Sequence, residues 1–325
     1  MRVFVCRYSV VILLLTLANQ VCADSYSEGS VSLGYRVDSL DWTIDGAGNP
    51  LGTSPNILSE LEWRDMEILQ LKGELSGSNA AGIYFRGYGN FGWVLDGVNQ
   101  DSDYAESNRT AEFSRSINDV DGSRVLDLSG GLGLTFFLDH AEQYRFIPMV
   151  GLSYHNQNMQ MRGGNQVVSN VSNAQLLDPA ISSLPSEGPF PGLNSSYEAE
   201  WSGPWLGADM LLDLRNSGKL LLRVEKHWVN YYAKANWNLR EDFDHPLSYE
   251  HKSNGEGWVL ELGWQNAPIE YQWVWGVKVS LQEWDAGVGQ YLVHYADGSR
   301  SVSRFNGANW SSKSVHFSLS KAFYE

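Results

Sequence analysis

The stretch VLDLSGGLGLTFF, residues 125–137, decides the fold class because its side chains alternate in character. Apolar residues occupy the even positions Leu126, Leu128, Leu132, Leu134 and Phe136. Between residues 127 and 135 the odd positions hold Asp, Ser, Gly and Thr. Successive side chains of a β-strand point to opposite faces, so this period of two predicts a strand with one apolar face and one polar face.

A second stretch, YQWVWGVKVSLQ at residues 271–282, has the same period and a more aromatic face. One parity of this stretch contains Tyr271, Trp273, Trp275, Val277, Val279 and Leu281. The last stretch, SVHFSLSKAFYE, likewise places on one face Val315, Phe317, Leu319 and Phe323. Faces this rich in aromatic residues favour contact with lipid over the core of a soluble sandwich.

Ten segments carry this alternation, at about residues 29–44, 58–75, 81–95, 124–137, 144–161, 198–212, 219–237, 257–265, 270–290 and 311–324. Four connections between them are short: SGSNAA, LDHAEQY, DLRNSGK and QNAPIE. The others are long and cover residues 45–57, 96–123, 162–197, 238–256 and 291–310. Short turns at one rim and long loops at the other are typical of an outer-membrane barrel whose first strand begins in the periplasm.

The sequence therefore predicts an all-β fold, a transmembrane antiparallel up-and-down β-barrel of ten strands. Short periplasmic turns and long extracellular loops complete the prediction. A count of twelve strands is the alternative if two hairpins at the rim belong to the barrel.

The N-terminus predicts export. Arg2 and Arg7 form a basic region before the apolar run SVVILLLTLA, which is too short to span a bilayer, and residues 21–23 are suited to a cleavage site. We expect a signal peptide at 1–23 and the barrel at 24–325. Both cysteines, Cys6 and Cys22, lie in the removed segment, which excludes disulfides and a cysteine nucleophile from the mature chain.

The charge is strongly acidic. Removing two arginines and no acids takes the net charge from −15 to about −17. Phosphate binding requires a basic face, so nucleic acid is excluded as an expected partner. The sequence also predicts no cofactor and no metal site, and an anionic outer rim favours basic peptides or divalent cations as ligands.

The polar faces predict the content of the lumen. Side chains expected to point inward are Lys72, Glu74, Tyr84, Arg86, Asp127, Arg145, Asp209, Arg223, Glu225, His227, Glu261 and Lys278. A ten-stranded barrel is narrow, so charges of both signs should fill the lumen and pair there. This disfavours an open diffusion porin and leaves a narrow solute channel as an alternative function.

Several local stretches, taken in order, resemble the omptins, a family of ten-stranded outer-membrane endopeptidases. The stretches are SVSLG at 30–34, SELEW at 59–63, LKGEL at 71–75, NQDSDY at 99–104, MRGGNQVV at 161–168, GPFPG at 188–192 and PWLGADM at 204–210. Each is weak alone, and together they cover most of the mature chain. The resemblance implies a cleft at the extracellular rim.

The resemblance also implies two facing dyads around a water molecule. An Asp-x-Asp pair corresponds to Asp101 and Asp103, and an Asp-x-His pair on the opposite wall would use His245. Such a site needs a base for the water, and a spacing of two residues on a strand puts both side chains on one face. A close carboxylate pair can share a proton because ionising both at once is unfavourable.

The second dyad departs from the family pattern because Phe243 stands two positions before His245. Asp244 is adjacent to His245, and adjacent side chains of a regular strand face opposite ways. A β-bulge at the rim could bring Asp244 or Asp242 round. The candidate catalytic residues are Asp101, Asp103, Asp244 and His245.

Three functions stay open for this barrel. The leading interpretation is an omptin-like barrel of the cell outer membrane whose acidic extracellular cleft binds something cationic or peptidic, such as a cationic peptide, without demonstrated catalysis. The alternatives are an omptin-type endopeptidase and a narrow solute channel. Outer-membrane lipid is the expected partner. Omptins also require lipopolysaccharide, but the basic residues with which they hold it have no matched positions here, so that dependence is not carried over.

Overall fold

The computed structural model describes residues 26–46, 55–267 and 272–324. The expected signal peptide at 1–23 lies outside these residues and stays a prediction. Of the residues described, none belongs to a helix with the length and apolarity needed to cross a bilayer. Most of the described chain is strand.

The strands run as follows: β1 Tyr26–Ile44, β2 Ser59–Ser78, β3 Ile83–Glu106, β4 Thr110–Asp119, β5 Arg124–Leu134, β6 Phe136–Phe137, β7 Tyr144–Ser169, β8 Gly188–Pro189, β9 Asn194–Asp213, β10 Lys219–Asn236, β11 Tyr249–Gln265, β12 Val274–Ala286, β13 Gly289–His294 and β14 Arg300–Tyr324. One short helix, α1 at Val171–Leu177, follows β7, and a 3-10 turn occupies Arg215–Ser217. Asn170 caps α1 by accepting the N–H of Asn173.

The long strands pair with their neighbours in chain order, all antiparallel, and β1 pairs with β14 to close the ring. Two positions in the ring are each shared by two segments. β4 and β5 both lie between β3 and β7, one above the other. β12 and β13 likewise both lie between β11 and β14. The barrel therefore has ten strands, as the sequence predicts.

The strands extend much further outward than predicted. The expected loop at 96–123 is the end of β3, a tight hairpin and β4, and the expected loop at 291–310 is mostly β13 and the start of β14. The loop expected at 162–197 shrinks to residues 170–193 and contains α1 and β8. These outer extensions lie above lipid, so their outward side chains need not be apolar and their alternation is invisible in the sequence.

The outer surface carries an apolar belt that agrees with the predicted parity. The exposed side chains include Leu33, Leu71, Leu132, Val150, Leu206, Leu260, Val279 and Phe317. Aromatic residues bound the belt on its outer side at Tyr35, Trp93, Trp228 and Trp258, and on its inner side at Phe136, Tyr144, Trp275 and Phe323. Aromatic girdles of this kind mark the two membrane interfaces.

Paired charges fill the lumen at the level of the belt, as predicted. Arg36, which is 1% exposed, bonds Asp38 and lies 2.7 Å from Asp127. On the other side, Arg223 lies 2.8 Å from Glu261. Further pairs join Lys72 with Glu261, Arg86 with Glu225 and Asp209, and Lys278 with Glu74.

A layer of aromatic rings closes the barrel above these charges. Trp284 of β12 stacks on Trp310 of β14 with 5.2 Å between ring centroids. Trp201 of β9 packs 4.5 Å from Tyr231 of β10, and Tyr231 stacks on Phe305 of β14. Because these rings come from strands around the ring and are almost fully buried, they form a continuous core across the barrel axis.

Candidate functional site

A β-bulge in β3 decides which way the predicted aspartates face. Below it, alternate residues such as Arg86 and Asn90 point inward. Leu95 and Asp96 are both exposed, so the parity changes there. Gly97 follows with a positive φ of 147°, and a Cβ on it would lie 3.0 Å from the Cα of Met66.

Above the bulge the odd residues of β3 point inward. Asp101 pairs with Leu61 of β2, and Asp103 pairs with Ser59. Leu61 is almost fully buried, so its face of the sheet is the inner face. Asp101 and Asp103 therefore share the inner wall, and both are partly exposed at the outer end of the lumen.

Both carboxyls hold their protons more strongly than an ordinary aspartate. Burial raises the pKa of Asp101 well above its usual range, and the charge of Asp103 raises it further. Burial also raises the pKa of Asp103 to about 6, against a hydrogen bond from Ser59 and the nearby Arg240 charge, which lower it. The pair is thus poised to change charge near neutral pH.

One cation and two tyrosines interact electrostatically with the pair. Arg240 comes from the loop between β10 and β11; its guanidinium lies 4.3 Å from the ring centroid of Phe243 and bonds Asp242 at 2.8 Å. Tyr249 and Tyr291 pack with ring centroids 5.3 Å apart. Burial raises the pKa of both phenols, and both also feel the charges of the two aspartates.

The other two predicted site residues have different partners. The Nδ1 of His245 lies 2.8 Å from the Asn236 Oδ1, and the backbone N–H of His245 donates to the Asp244 carboxylate. Both side chains are exposed. The hydrogen bonds of His245 thus go to Asn236 and Asp244, and no hydrogen bond joins it to Asp101 or Asp103 among the residues described. The structure brings Asp101 and Asp103 together and does not add His245 to them; the catalytic role of all four stays a prediction.

The aromatic floor beneath the pair contains polar atoms without a partner. Tyr249 Oη, Trp42 Nε1, Trp63 Nε1 and His251 Nε2 are buried and make no hydrogen bond to another described residue. The rings of Trp42, Trp63, Tyr249 and His251 all pack around Tyr197. Burial lowers the pKa of His251 to about 3, so its imidazole is neutral.

Sequence reasoning missed Arg240, Tyr249 and Tyr291. Tyr249 and His251 share a parity at the start of β11, which could have extended the predicted strand outward. Arg240 lies in a loop with no periodic pattern. The sequence around it therefore gives no sign that it lies near Asp101 and Asp103, which are 139 and 137 residues earlier in the chain.

A hydroxyl, an imidazole and a carboxylate also line up inside the barrel. Ser153 Oγ lies 3.0 Å from His227 Nδ1, and His227 Nε2 lies 2.9 Å from Glu225 Oε2. All three are almost fully buried, with Trp284 4.8 Å from the His227 ring. The Glu225 carboxylate also pairs with Arg86, so this line of groups belongs to the ion-pair network of the lumen. Within the part of the chain that the structure describes, no group of three or more ligating side chains is arranged to hold a metal ion.

Comparisons with known proteins agree with this architecture. The family model described as Protochlamydia outer membrane protein matches residues 30–323. The outer membrane protease OmpT from Escherichia coli is similar in structure, with a TM-score of 0.68 at 14% identity over 92% of this chain and 97% of that chain. At this identity the likeness shows the fold alone.

Two further solved structures align with lower scores. The translocator domain of the autotransporter NalP from Neisseria meningitidis has a TM-score of 0.36 at 8% identity, covering 98% of this chain and 95% of that one. The outer membrane protein OprG from Pseudomonas aeruginosa has a TM-score of 0.32 at 10% identity, covering 93% and 97%. No curated protein matches the sequence.

Proposed function

The chain belongs to the Protochlamydia outer membrane protein family, and from that premise we propose that this outer-membrane barrel is a surface receptor for a basic group, such as an arginine or lysine side chain of a peptide. The proposal rests on one observation: Asp101 and Asp103 lie side by side on the inner face of β3 at the outer end of a filled lumen, where the charge of Arg240 acts on them and theirs acts on Tyr249 and Tyr291.

The chemistry of this cleft suits an organic cation. Carboxylates accept charge-assisted hydrogen bonds from guanidinium or ammonium groups, and aromatic faces attract the same groups. Arg240 already places one guanidinium near the pair without an ion pair to either carboxylate, because its own partner is Asp242. A ligand cation would compete with Arg240 for the field of the two aspartates.

Ionisation of the pair sets the pH dependence of binding. Because the pKa of Asp103 is raised to about 6, the carboxyl is largely neutral at pH 5 and charged at pH 8. A cation binds the charged form, so affinity should increase as pH rises through this range.

Binding can be measured by fluorescence anisotropy on the refolded barrel in neutral detergent, with a labelled peptide containing two adjacent arginines. We expect Asp103→Asn to weaken binding about tenfold or more, and Arg240→Gln to strengthen it by removing the resident competitor. Asp297→Asn is the matched control because Asp297 lies on the exposed 295–299 hairpin. Equal affinity for all four proteins, or for a peptide with glutamate in place of arginine, would refute the receptor proposal.

Peptide hydrolysis is the second candidate function, and the raised pKa of Asp103 favours it because a base with a pKa near the working pH is efficient. The same peptide should be incubated with the barrel, with and without lipopolysaccharide, and examined by mass spectrometry. Cleavage lost in Asp103→Asn would establish an aspartate-dependent peptidase, and loss in His245→Ala as well would add the predicted dyad. Binding without cleavage supports the receptor.

A further inference from the structure

The periplasmic mouth of the barrel contains a cavity of about 100 Å³, at the opposite end from the acidic pair. Its wall includes the cations Arg145, Lys219, Arg223 and Lys278, of which Arg223 pairs with Glu261 at 2.8 Å. The volume exceeds what a single water needs, since a water fits in about 10–15 Å³ measured in this way. The cavity therefore has room for a small organic molecule.

Two of the cations in this wall have no carboxylate partner. Lys278 lies 3.0 Å from Glu74, so its charge is balanced. Arg145 and Lys219 form no ion pair with any described residue and rest against aromatic rings, Arg145 5.7 Å from the centroid of Phe137 and Lys219 5.3 Å from that of Tyr26. Among the described residues, Arg145 and Lys219 are therefore the cations of this wall that a ligand anion could pair with.

The acids in the same wall are Glu28, Glu74 and Asp213, and each accepts a hydrogen bond, Glu74 from Lys278. Glu28 accepts the hydroxyl hydrogen of Tyr26, and Asp213 accepts the backbone N–H of Arg215 at 2.7 Å. Lys219 feels both of these acids and also the like charge of Arg145. An anion placed between Arg145 and Lys219 would remove that repulsion.

The rest of the wall offers a hydroxyl and an apolar surface. Thr135 Oγ1 is buried there without a hydrogen-bond partner in the described chain. Ile147, Leu211 and Leu221 line the cavity beside it. A ligand that matches the chemistry of this wall has one anionic end, which contacts the cations, and a short apolar body, which contacts the apolar side chains.

We propose that the periplasmic mouth binds a small carboxylate on a short apolar body, with the carboxylate between Arg145 and Lys219. The site opens toward the periplasm, because the strand ends that form it are those joined by the short turns. It is independent of the acidic cleft at the other end of the barrel.

Isothermal titration of the refolded barrel with benzoate tests this site, and benzylamine is the probe of opposite charge. We expect benzoate to bind and benzylamine not to bind, and Arg145→Gln or Lys219→Gln to weaken benzoate at least tenfold. Lys321→Gln is the matched control, because Lys321 lies on the outward-facing parity of β14 at the same rim, 5.9 Å from the centroid of Phe323. It should bind benzoate as the unaltered barrel does.

A second variant separates the cavity from its charges. Leu221→Trp fills the cavity without changing charge, and it should abolish benzoate binding while the barrel keeps its fast, folded mobility in unheated SDS gels. Asp103→Asn should leave benzoate binding unchanged, so failure here and failure of the receptor proposal are distinguishable. No benzoate binding, equal binding of benzylamine, or binding untouched by all three cavity variants would overturn the proposal.

Discussion

The position of Asp103 beside Asp101 can be predicted from the sequence, but its raised pKa depends on groups that only the fold brings near it. The NQDSDY stretch predicts a pair of carboxylates on one face, and in the structure both lie on the inner face of β3. The pKa of Asp103 is raised by burial and lowered by the charge of Arg240, which lies 137 residues later in the chain. A local pattern contains no information about such neighbours.

The raised pKa of Asp103 predicts the direction in which the stability of the barrel changes with pH. A carboxyl whose pKa rises on folding binds more protons in the folded state, so its contribution to stability is present below pH 4 and is lost as pH rises through about 6. Asp103→Asn removes this loss and should stabilise the barrel above pH 6 by about 1 kcal/mol. Below pH 4 the variant and the unaltered barrel should unfold alike.

Urea unfolding followed by tryptophan fluorescence between pH 3.5 and 8 measures this difference. The neutral His251 acts with the opposite sign in the same range, since its pKa is lowered to about 3, but it is present in both proteins and cancels. Asp297→Asn is the control because a hydrogen bond from Ser299 lowers the pKa of Asp297, so no gain is expected. A stability gain that is the same at every pH would contradict the assignment.

At the scale of the strand, the predicted parity holds within the membrane and fails above it. Leu132, Val279 and Phe317 face outward as their period requires. In β3 the two exposed residues Leu95 and Asp96 reverse the parity, and without that reversal Asp101 and Asp103 would point away from the lumen. The sequence pattern alone does not reveal the bulge. One extra residue in a segment that mixes polar and apolar side chains leaves its composition and average hydropathy almost unchanged.

Gly97 is the residue that allows this reversal, so Gly97→Ala tests it. Its φ of 147° and the 3.0 Å approach of Met66 leave no space for a methyl group. We expect a loss of about 1–3 kcal/mol of unfolding free energy and at least tenfold weaker binding of the diarginine peptide. Gly73→Ala is the control, because a Cβ on Gly73 would meet nothing within 4 Å.

Two measurements on these variants separate stability from site geometry. Urea unfolding gives the first, and peptide anisotropy well below the unfolding midpoint gives the second. If Gly97→Ala is destabilised but binds the peptide as strongly as Gly73→Ala, the bulge supports the fold and does not position the aspartates.

At the scale of the whole molecule, the inference that pairs of charges fill the lumen needed only the parity and the strand count, and it is confirmed. The aromatic layer was not foreseen. Its rings, among them Trp42, Trp201 and Trp284, lie in the outer extensions or near the outer edge of the belt. These three rings lie in segments predicted as strands, on the parity opposite to the lipid-facing residues, so the alternation already points them inward. The prediction missed the aromatic layer because it filled the inward face with charged side chains.

Two closures in series make a strong prediction about conductance. The ion-pair layer, with Arg36 and Arg223 on opposite sides, and the aromatic layer, with Trp284 on Trp310, each cross the lumen. Removing one should leave the other in place, so neither the unaltered barrel nor a Trp284→Ala, Trp310→Ala variant should show discrete conductance steps in a planar bilayer. Heat-shifted mobility in SDS gels confirms that both are folded. Steps in the unaltered barrel would revive the solute channel, whereas steps in the variant alone would mean that the aromatic layer is the seal and that the charges beneath it leave a path for water and ions.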